Sequence, residues 1–187
     1  MIEHGHHLGR NGGVTPLLTV GHGALAADEF AALALDAGIR AVVDVRRFPG
    51  SRRHPHFDAT AMAVWLGRRE VDYRWIPALG GRRRPSADSP NVSLRNDQFR
   101  AYADHMASEE FRAGVGELLD LAAAGPVAVM CAESVWWRCH RRLLADHLVL
   151  VRQVAVEHLF HDRRVVGHPP TAGARNAGDH VVYDVEP

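Results

Sequence analysis

The sequence contains no lysine, because all 22 of its basic residues are arginine. This absence excludes a Schiff base on a lysine amine, and it excludes a Walker-type phosphate loop, which requires its lysine. The arginines are unevenly spread. The stretch from Arg40 to Arg100 holds 13 arginines against 6 acidic residues, although the whole chain has a formal net charge of zero. One basic block in a neutral chain suggests an anionic partner, and solvated arginines from GC-rich codon usage are the alternative.

Cysteine is also scarce, and long apolar runs are absent. The two cysteines, Cys131 and Cys139, lie too close in sequence to form the disulfide framework of a secreted protein. No run approaches the roughly 18 apolar residues that span a membrane. The start of the chain shows no signal-peptide pattern. We therefore expect a cytoplasmic protein that has no membrane partner.

Short apolar runs alternate with segments of helical spacing along most of the chain. The predicted strands are 17–20, 39–45, 72–79, 127–133 and 154–160, and the predicted helices are 28–35, 59–69, 97–106, 109–124 and 138–151. This alternation predicts an α/β fold: a three-layer, mostly parallel Rossmann-like sheet of about five strands with helices on both faces. We expect the strand order 3-2-1-4-5, with right-handed crossovers and a topological switch between the first and fourth strands.

The sequence predicts one domain with two distinct ends. Residues 1–14 are polar and histidine-rich, which is typical of a disordered N-terminal segment. The α/β domain is predicted to span residues 15–162. Residues 163–187 form a C-terminal tail whose apolar run at 181–185 either adds an edge strand or is disordered.

Three titratable side chains lie at or just after the carboxyl ends of predicted strands and are the candidate catalytic residues: Glu133, Asp44 and His22. In an open parallel sheet, ligands bind outside the carboxyl ends of the strands at the topological switch. A partly desolvated carboxylate there can take a proton near neutrality, and a loop histidine can act as a base or donate to a phosphate. The alternatives are structural ion pairs with Arg46 or Arg141, and a hydrogen-bonded structural histidine.

The same predicted loops and helix starts carry arginine interleaved with aromatic residues. Arginine binds phosphate bidentately, and aromatic rings stack on unpaired bases. The alternative is that these arginines are solvated and that the aromatic rings belong to the core. The predicted nucleic-acid-binding residues are Arg46, Arg47, Ser51, Arg52, Arg82, Arg83, Arg84, Trp136, Trp137, Arg138, His140 and Arg141.

Cys131, Cys139 and His140 are the candidates for a thiol or metal site. Their spacing, C-x7-C-H, matches neither the C-x2-C pairs of structural zinc sites nor the C-x-x-C motif of thiol oxidoreductases. We therefore expect no metal and no cofactor, with both cysteines packed as small buried residues. A thiol or metal protein remains the alternative.

Four short motifs occur in order along the chain: T-V-G-H at Thr19–His22, D-V-R-x-x-P-x-S at Asp44–Ser51, L-G-G at Leu79–Gly81, and C-A-E-x5-C-H-R at Cys131–Arg141. Together, over roughly residues 17–160, they resemble the bacterial family known as domain of unknown function 488. The resemblance implies a cytosolic single-domain α/β protein whose motifs gather at one site, and it assigns no reaction. The paired tryptophans and the histidine-rich start are not part of the family pattern.

The arginine-rich loops and the carboxylates predict a nucleic-acid-processing enzyme that acts on a base or nucleotide. Its specific form is a monofunctional DNA glycosylase, or a related hydrolase of damaged or modified DNA, with a role in DNA repair. Without lysine, such a glycosylase cannot use a lysine imine. The expected partner is nucleic acid, with DNA favoured, or a free nucleotide. The alternatives are a non-catalytic module for binding nucleic acid or nucleotides, and a thiol or metal protein.

Overall fold

The structure is a computed structural model, and it describes residues 16–50, 52–84 and 86–184. Within these residues, six strands form one mixed sheet: β1 Leu17–Gly21, β2 Ala41–Asp44, β3 Asp72–Trp75, β4 Val127–Cys131, β5 Val156–Leu159 and β6 Val165–Gly167. Two short strands, β7 Arg175–Asn176 and β8 Val181–Val182, pair with each other. The helices are α1 Ala27–Asp36, α2 Ala59–Gly67, α3 Asp97–Met106, α4 Glu109–Ala124 and α5 Arg141–Leu150.

The helices cover both faces of the sheet, so the predicted three-layer, mostly parallel α/β fold is confirmed. On one face, Phe30 of α1 packs in the same apolar cluster as Val42 of β2. On the other face, Phe111 of α4 belongs to a second cluster together with Val43 and Val129. Successive side chains of a strand point to opposite faces, so neighbouring valines of β2 serve the two layers. A strand buried on both faces is expected to be apolar along its length, as β4 and the first three residues of β2 are.

The predicted strand order was wrong at the centre of the sheet. The order is β3-β2-β4-β1-β5-β6, so β2 pairs with β4 and β1 pairs with β5. Both central strands are apolar, and the connection that leaves each of them contains a helix. Such a connection is long enough to pass over one strand, a distance of roughly 10 Å. The sequence pattern therefore could not predict which of the two strands, β1 or β4, lies next to β2. They remain neighbours with connections leaving in opposite directions, as a topological switch requires.

Helix boundaries agree best where side-chain caps are present. Helices α3 and α4 begin and end as predicted. The side chain of Asn96 accepts hydrogen bonds from the first turn of α3, and Ser108 accepts one from the backbone N–H of Phe111 in α4. Such caps satisfy backbone donors that otherwise have no partner.

Among the predicted elements that are too long, β3, β4 and α5 bear on the cleft. Strand β3 stops at Trp75 because Pro77, which lacks a backbone N–H, begins a 3-10 turn. Strand β4 stops at Cys131, and a second 3-10 turn at Trp136–Arg138 delays the start of α5 to Arg141. This shorter strand and later helix leave Glu133 in a connecting loop.

The chain after the predicted domain continues the structure. Strand β6 pairs antiparallel with β5 and forms an edge of the sheet, whereas Val181–Val182 pairs with β7 outside that sheet. Consecutive hydrogen bonds between side chains hold this segment. His158 Nε2 donates to His168 Nδ1 at 2.9 Å, and His168 Nε2 donates to Asp146 Oδ1 at 2.9 Å. Tyr183 Oη donates to the other oxygen of Asp146 at 2.8 Å.

The predicted disordered segment 1–14 lies outside the described residues. In the described part of the chain, every helix is too short or too polar to cross a membrane.

Candidate functional site

A cleft of about 580 Å³ opens at the carboxyl ends of β1, β2 and β4. These three strands are parallel, so the segments that follow them emerge at one edge of the sheet. His22 follows β1, Arg46 follows β2 and Glu133 follows β4, and all three line the cleft. This is the position at which the strand ends predict a ligand site.

The cleft divides the predicted site residues into two groups. Those that line it are His22, Arg46, Arg47, Arg82, Glu133, Arg138 and His140. Described residues that lie outside its lining are Asp44, Arg52, Arg83, Arg84, Trp136, Trp137 and Arg141. Ser51 falls outside the described residues.

Asp44 and Arg46 form a buried ion pair beside the cleft. The Asp44 carboxylate accepts from Arg46 Nε at 2.9 Å and from Arg46 Nη2 at 2.6 Å, and it also accepts from Tyr73 Oη at 2.6 Å. Burial, together with the charge of Asp44, raises the pKa of Tyr73, so this hydroxyl keeps the proton that it donates. Arg46 Nη2 also donates to the carbonyl of Phe57 at 2.7 Å. With both oxygens engaged and no exposed surface, Asp44 is placed to hold Arg46 rather than to activate water.

His22 is held as a neutral imidazole. Its ring stacks on Phe57 with centroids 4.1 Å apart, and Nδ1–H donates to the carbonyl of Gly23 at 2.9 Å. Burial, aided by the charge of Arg46, lowers the pKa of His22 to about 4. Its Nε2 lies 3.4 Å from Arg46 Nη1 and therefore faces a donor. A neutral His22 in this tautomer has no spare proton for a phosphate, so the geometry favours an acceptor role.

Glu133 is exposed and lines the cleft. A hydrogen bond holds the loop of Glu133 in place, because its backbone carbonyl accepts from Arg141 Nη2. The loop also lies against the end of β1: a Cβ atom on Gly21 would sit 1.8 Å from the Glu133 carbonyl oxygen. The glycine of the T-V-G-H motif is therefore required by close approach of two backbones.

Arg141 does not lie where the sequence placed it. It was predicted to contact nucleic acid, but only 1% of the residue is exposed in the structure. As the first residue of α5, it shares a helix face with Leu144 and Leu148, which are also buried. Its Nε donates to Cys139 Sγ at 3.4 Å. Arg141 therefore supports the Glu133 loop from inside the protein.

The paired tryptophans also lie away from the cleft. Trp136 stacks on His158 of β5 with ring centroids 4.1 Å apart, and Trp137 meets Trp136 edge-on. Strand β5 pairs with β1 on the side opposite to β4, and neither tryptophan belongs to the lining of the cleft. The prediction that both rings bind a base beside the arginines is therefore not supported by the geometry.

Arg83 faces helix α4 instead of the cleft. It donates to the carboxylate of Glu110 at 3.3 Å and to the carbonyl oxygens of Pro77 and Ala78. Arg52 and Arg84 are exposed, but neither lines the cleft. The basic loop therefore contributes Arg82 to the cleft wall, whereas Arg83 ties the loop to α4.

The sequence reasoning missed His54, Gln98 and Phe99, which line the cleft. Phe48 and Arg53 also line it, and both lie in the loop after β2 whose arginines and aromatic residues the sequence had indicated. His54 follows Arg53 in the same loop, so its position was a usable signal. Gln98 and Phe99 begin α3, and no local pattern indicates that this helix start reaches the strand ends.

Cys131, Cys139 and His140 converge in the wall of the cleft. Cys131 Sγ lies 3.9 Å and Cys139 Sγ 3.6 Å from His140 Nδ1. A hydrogen bond to Cys139, reinforced by burial, raises the pKa of the Cys131 thiol. Burial opposes ionisation of Cys139 as well, but the hydrogen bond from Cys131 and the neighbouring Arg141 lower its pKa well below the usual range. Cys139 is therefore the more readily ionised of the two thiols.

Residues 26–148 match the family model described as domain of unknown function DUF488. The chain belongs to this family. The matched region contains three of the four motif segments, and Thr19–His22 precedes it. No curated protein and no solved structure is similar enough to this chain to count as a match.

In this DUF488 protein, all four motif segments surround the cleft. The L-G-G motif explains how closely they pack. A Cβ atom on Gly80 would lie 2.8 Å from the Cα of Arg47, and one on Gly81 would lie 2.9 Å from His140 Nδ1. The two glycines therefore allow this segment to close against the loops that follow β2 and β4.

Proposed function

We propose that this DUF488 protein is a nucleic-acid-processing hydrolase that binds a phosphate-bearing base or nucleotide in the cleft and uses Glu133 to activate water. The observation that carries the proposal is the charge of the cleft. Among the described residues, its lining holds five arginines, Arg46, Arg47, Arg53, Arg82 and Arg138, against one carboxylate, Glu133. A concave wall with this surplus concentrates an anionic ligand.

Several of these arginines keep their charge available to a ligand. Arg46 is paired with Asp44, and Arg47 lies 3.4 Å from Glu110. Among the described residues, no ion pair involves Arg53, Arg82 or Arg138. Planar guanidinium groups bind phosphate oxygens bidentately. Phosphate contacts of this kind position the ligand.

The size of the cleft favours a single nucleotide unit over an intact duplex. A volume of about 580 Å³ lies within the range of sites that enclose one small ligand. A base inside a duplex reaches such a cleft only after it leaves the stack. Phe48 lines the cleft and is 66% exposed, which leaves its ring accessible for stacking on an extruded base.

Glu133 is the carboxylate placed to take part in hydrolysis. In the glycosylase form of the reaction, water forms a new C1′–O bond as the C1′–N bond breaks. The water proton passes to Glu133, and the departing base takes up a proton from solvent. Because the chain has no lysine, it cannot form a lysine imine with the sugar and cleave the DNA strand by that route.

The test compares wild-type protein with Glu133→Gln on a panel of oligonucleotides that carry different base lesions, together with undamaged DNA, RNA and free nucleotides. Glu133→Gln keeps the side-chain shape and removes the charge. We expect single-turnover rates to fall at least about 100-fold, with little change in affinity measured by fluorescence anisotropy.

Glu117→Gln is the matched control, because Glu117 is exposed on α4 and does not line the cleft. It is expected to behave like the wild type. Full turnover by a folded Glu133→Gln variant contradicts the assignment of the base. Binding without turnover on every substrate supports the binding-module alternative instead.

A further inference from the structure

Three soft ligand atoms meet in the wall of the cleft. The Sγ atoms of Cys131 and Cys139 and the Nδ1 atom of His140 all lie within 4.8 Å of one another. Cys131 ends β4, the other two residues immediately precede α5, and all three line the cleft. We propose that these side chains bind a Zn²⁺ ion whose fourth coordination position faces the cleft. Three protein ligands and one open position are the arrangement of catalytic zinc sites.

The observed distances fit tetrahedral coordination. Zinc–sulfur bonds of about 2.3 Å and zinc–nitrogen bonds of about 2.0 Å place S and N about 3.5 Å apart at the tetrahedral angle. The two S···Nδ1 distances to His140 are 3.6 Å and 3.9 Å. An ion can therefore enter with small side-chain adjustments.

The hydrogen bonds around the three ligands orient them for an ion. His140 Nε2–H donates to the carbonyl of Val45 at 3.1 Å, which leaves the lone pair of Nδ1 facing both sulfur atoms. Metal-bound histidines commonly donate their second ring N–H to a backbone carbonyl in this way. Arg141 Nε donates to Cys139 Sγ at 3.4 Å and fixes the position of that sulfur.

Gly81 keeps the coordinating face of His140 accessible. A Cβ atom at this position would lie 2.9 Å from His140 Nδ1. Gly81 does not belong to the glycines with positive φ, so its backbone conformation suits any residue. The space beside the ligand atom, and not the backbone, explains the glycine.

The donor set selects the metal. Two thiolates and one imidazole suit Zn²⁺ or Cu⁺ and disfavour hard cations such as Mg²⁺. Zinc accepts tetrahedral sites built from such ligands without a redox change. The C-x7-C-H spacing differs from C-x2-C because the ligands come from a strand end and a helix start, which the 3-10 turn at Trp136–Arg138 joins.

The test titrates the reduced full chain with Co²⁺ as a spectroscopic probe and then displaces it with Zn²⁺. We expect one ion per chain, intense d–d bands of tetrahedral Co²⁺ and a thiolate-to-cobalt charge-transfer band. Histidine side chains in general also bind Co²⁺, and the sequence has His4, His6 and His7 near its start. All titrations therefore use a background in which these three are replaced by alanine. Imidazole alone does not produce the thiolate band.

Three variants test the geometry. Cys139→Ser and His140→Ala remove ligands, and Gly81→Ala places a methyl group beside Nδ1. Each is expected to weaken Co²⁺ binding at least about 10-fold. His180→Ala and Gly116→Ala are the matched controls and are expected to bind like the parent. His180 lies in the turn between β7 and β8, and a Cβ on Gly116 meets nothing within 4 Å.

Circular dichroism and thermal melting show which variants are folded. The proposal is overturned if the folded parent binds no Co²⁺ at micromolar concentrations while both thiols titrate as reduced. It is also overturned if folded His140→Ala and Gly81→Ala keep the parent affinity. These readouts measure metal and not turnover, so their failure leaves the hydrolase proposal untouched.

Discussion

Replacing Asp44 with asparagine isolates the energy of the buried ion pair beside the cleft. The change keeps the side-chain shape and leaves the guanidinium of Arg46 without its counter-charge. Asp44 has no exposed surface and Arg46 is 7% exposed, so water cannot replace the lost interaction. Removal of one partner of a buried ion pair costs about 3–5 kcal/mol. In a chain of this length, that predicts a fall in the melting midpoint of about 6–20 °C.

Asp28→Asn is the control, because it removes a carboxylate from an ion pair of the same length that is exposed instead of buried. Asp28 pairs with Arg69 at 2.6 Å, the same distance as the shortest contact of the Asp44–Arg46 pair, but 87% of the Asp28 side chain is exposed. Exposed pairs contribute little because water and salt screen them. We therefore expect little or no change in its melting midpoint.

The assay is thermal unfolding followed by circular dichroism at neutral pH, with urea unfolding as a second measurement. The double variant Asp44→Asn, Arg46→Met should recover part of the loss, because it removes the unpaired charge as well. Equal midpoint shifts for Asp44→Asn and Asp28→Asn would refute the reasoning. A double variant whose loss of stability exceeds the sum of the losses in the two single variants would also refute it.

The remaining predictions concern backbone contact and pH. Gly21→Ala should prevent stable folding, because its methyl group would meet the carbonyl of Glu133. Gly67→Ala should be tolerated, because a Cβ atom there meets nothing within 4 Å. Urea unfolding compares the stability of the two variants. Burial lowers the pKa of His147 to about 4 and that of His158 to about 3. The unfolded chain then binds more protons, so stability is full above about pH 6.5 and falls toward pH 4. Urea unfolding at pH 7.5 and pH 5 measures the loss, which His158→Gln should reduce; a pH-independent midpoint would contradict this account.

The sequence predicted those features that depend on local burial. The apolar run Val127–Met130 indicates a strand buried on both faces, and Glu133, predicted as the last residue of that strand, lies two residues beyond its end at Cys131. The caps Asn96 and Ser108 define where α3 and α4 begin. Strand order depends instead on how long connections pass over the sheet, and nothing in the local pattern of β1 or β4 records it.

Several of the predicted site residues line one cleft, but the sequence reasoning did not predict which charged side chains face inward. Arginine in a predicted loop suggests an exposed contact, yet Arg141 is buried by its helix face and Arg83 is tied to Glu110. The spacing of Arg141 with Leu144 and Leu148 was a signal that could have shown this. The meeting of Cys131 with His140 had no such signal, because it depends on a turn between two elements.

The most direct test of the central claim, that the cleft binds a phosphate-bearing ligand, compares two neighbouring arginines. Arg82 lines the cleft, whereas Arg83 faces Glu110. The measurement is the salt dependence of oligonucleotide binding for Arg82→Ala and Arg83→Ala. The account predicts that Arg82→Ala weakens binding and lowers the slope of log affinity against log salt by about one unit. It predicts that Arg83→Ala leaves the slope unchanged. Equal effects of the two changes, or no detectable binding by the wild type at low salt, would contradict the claim.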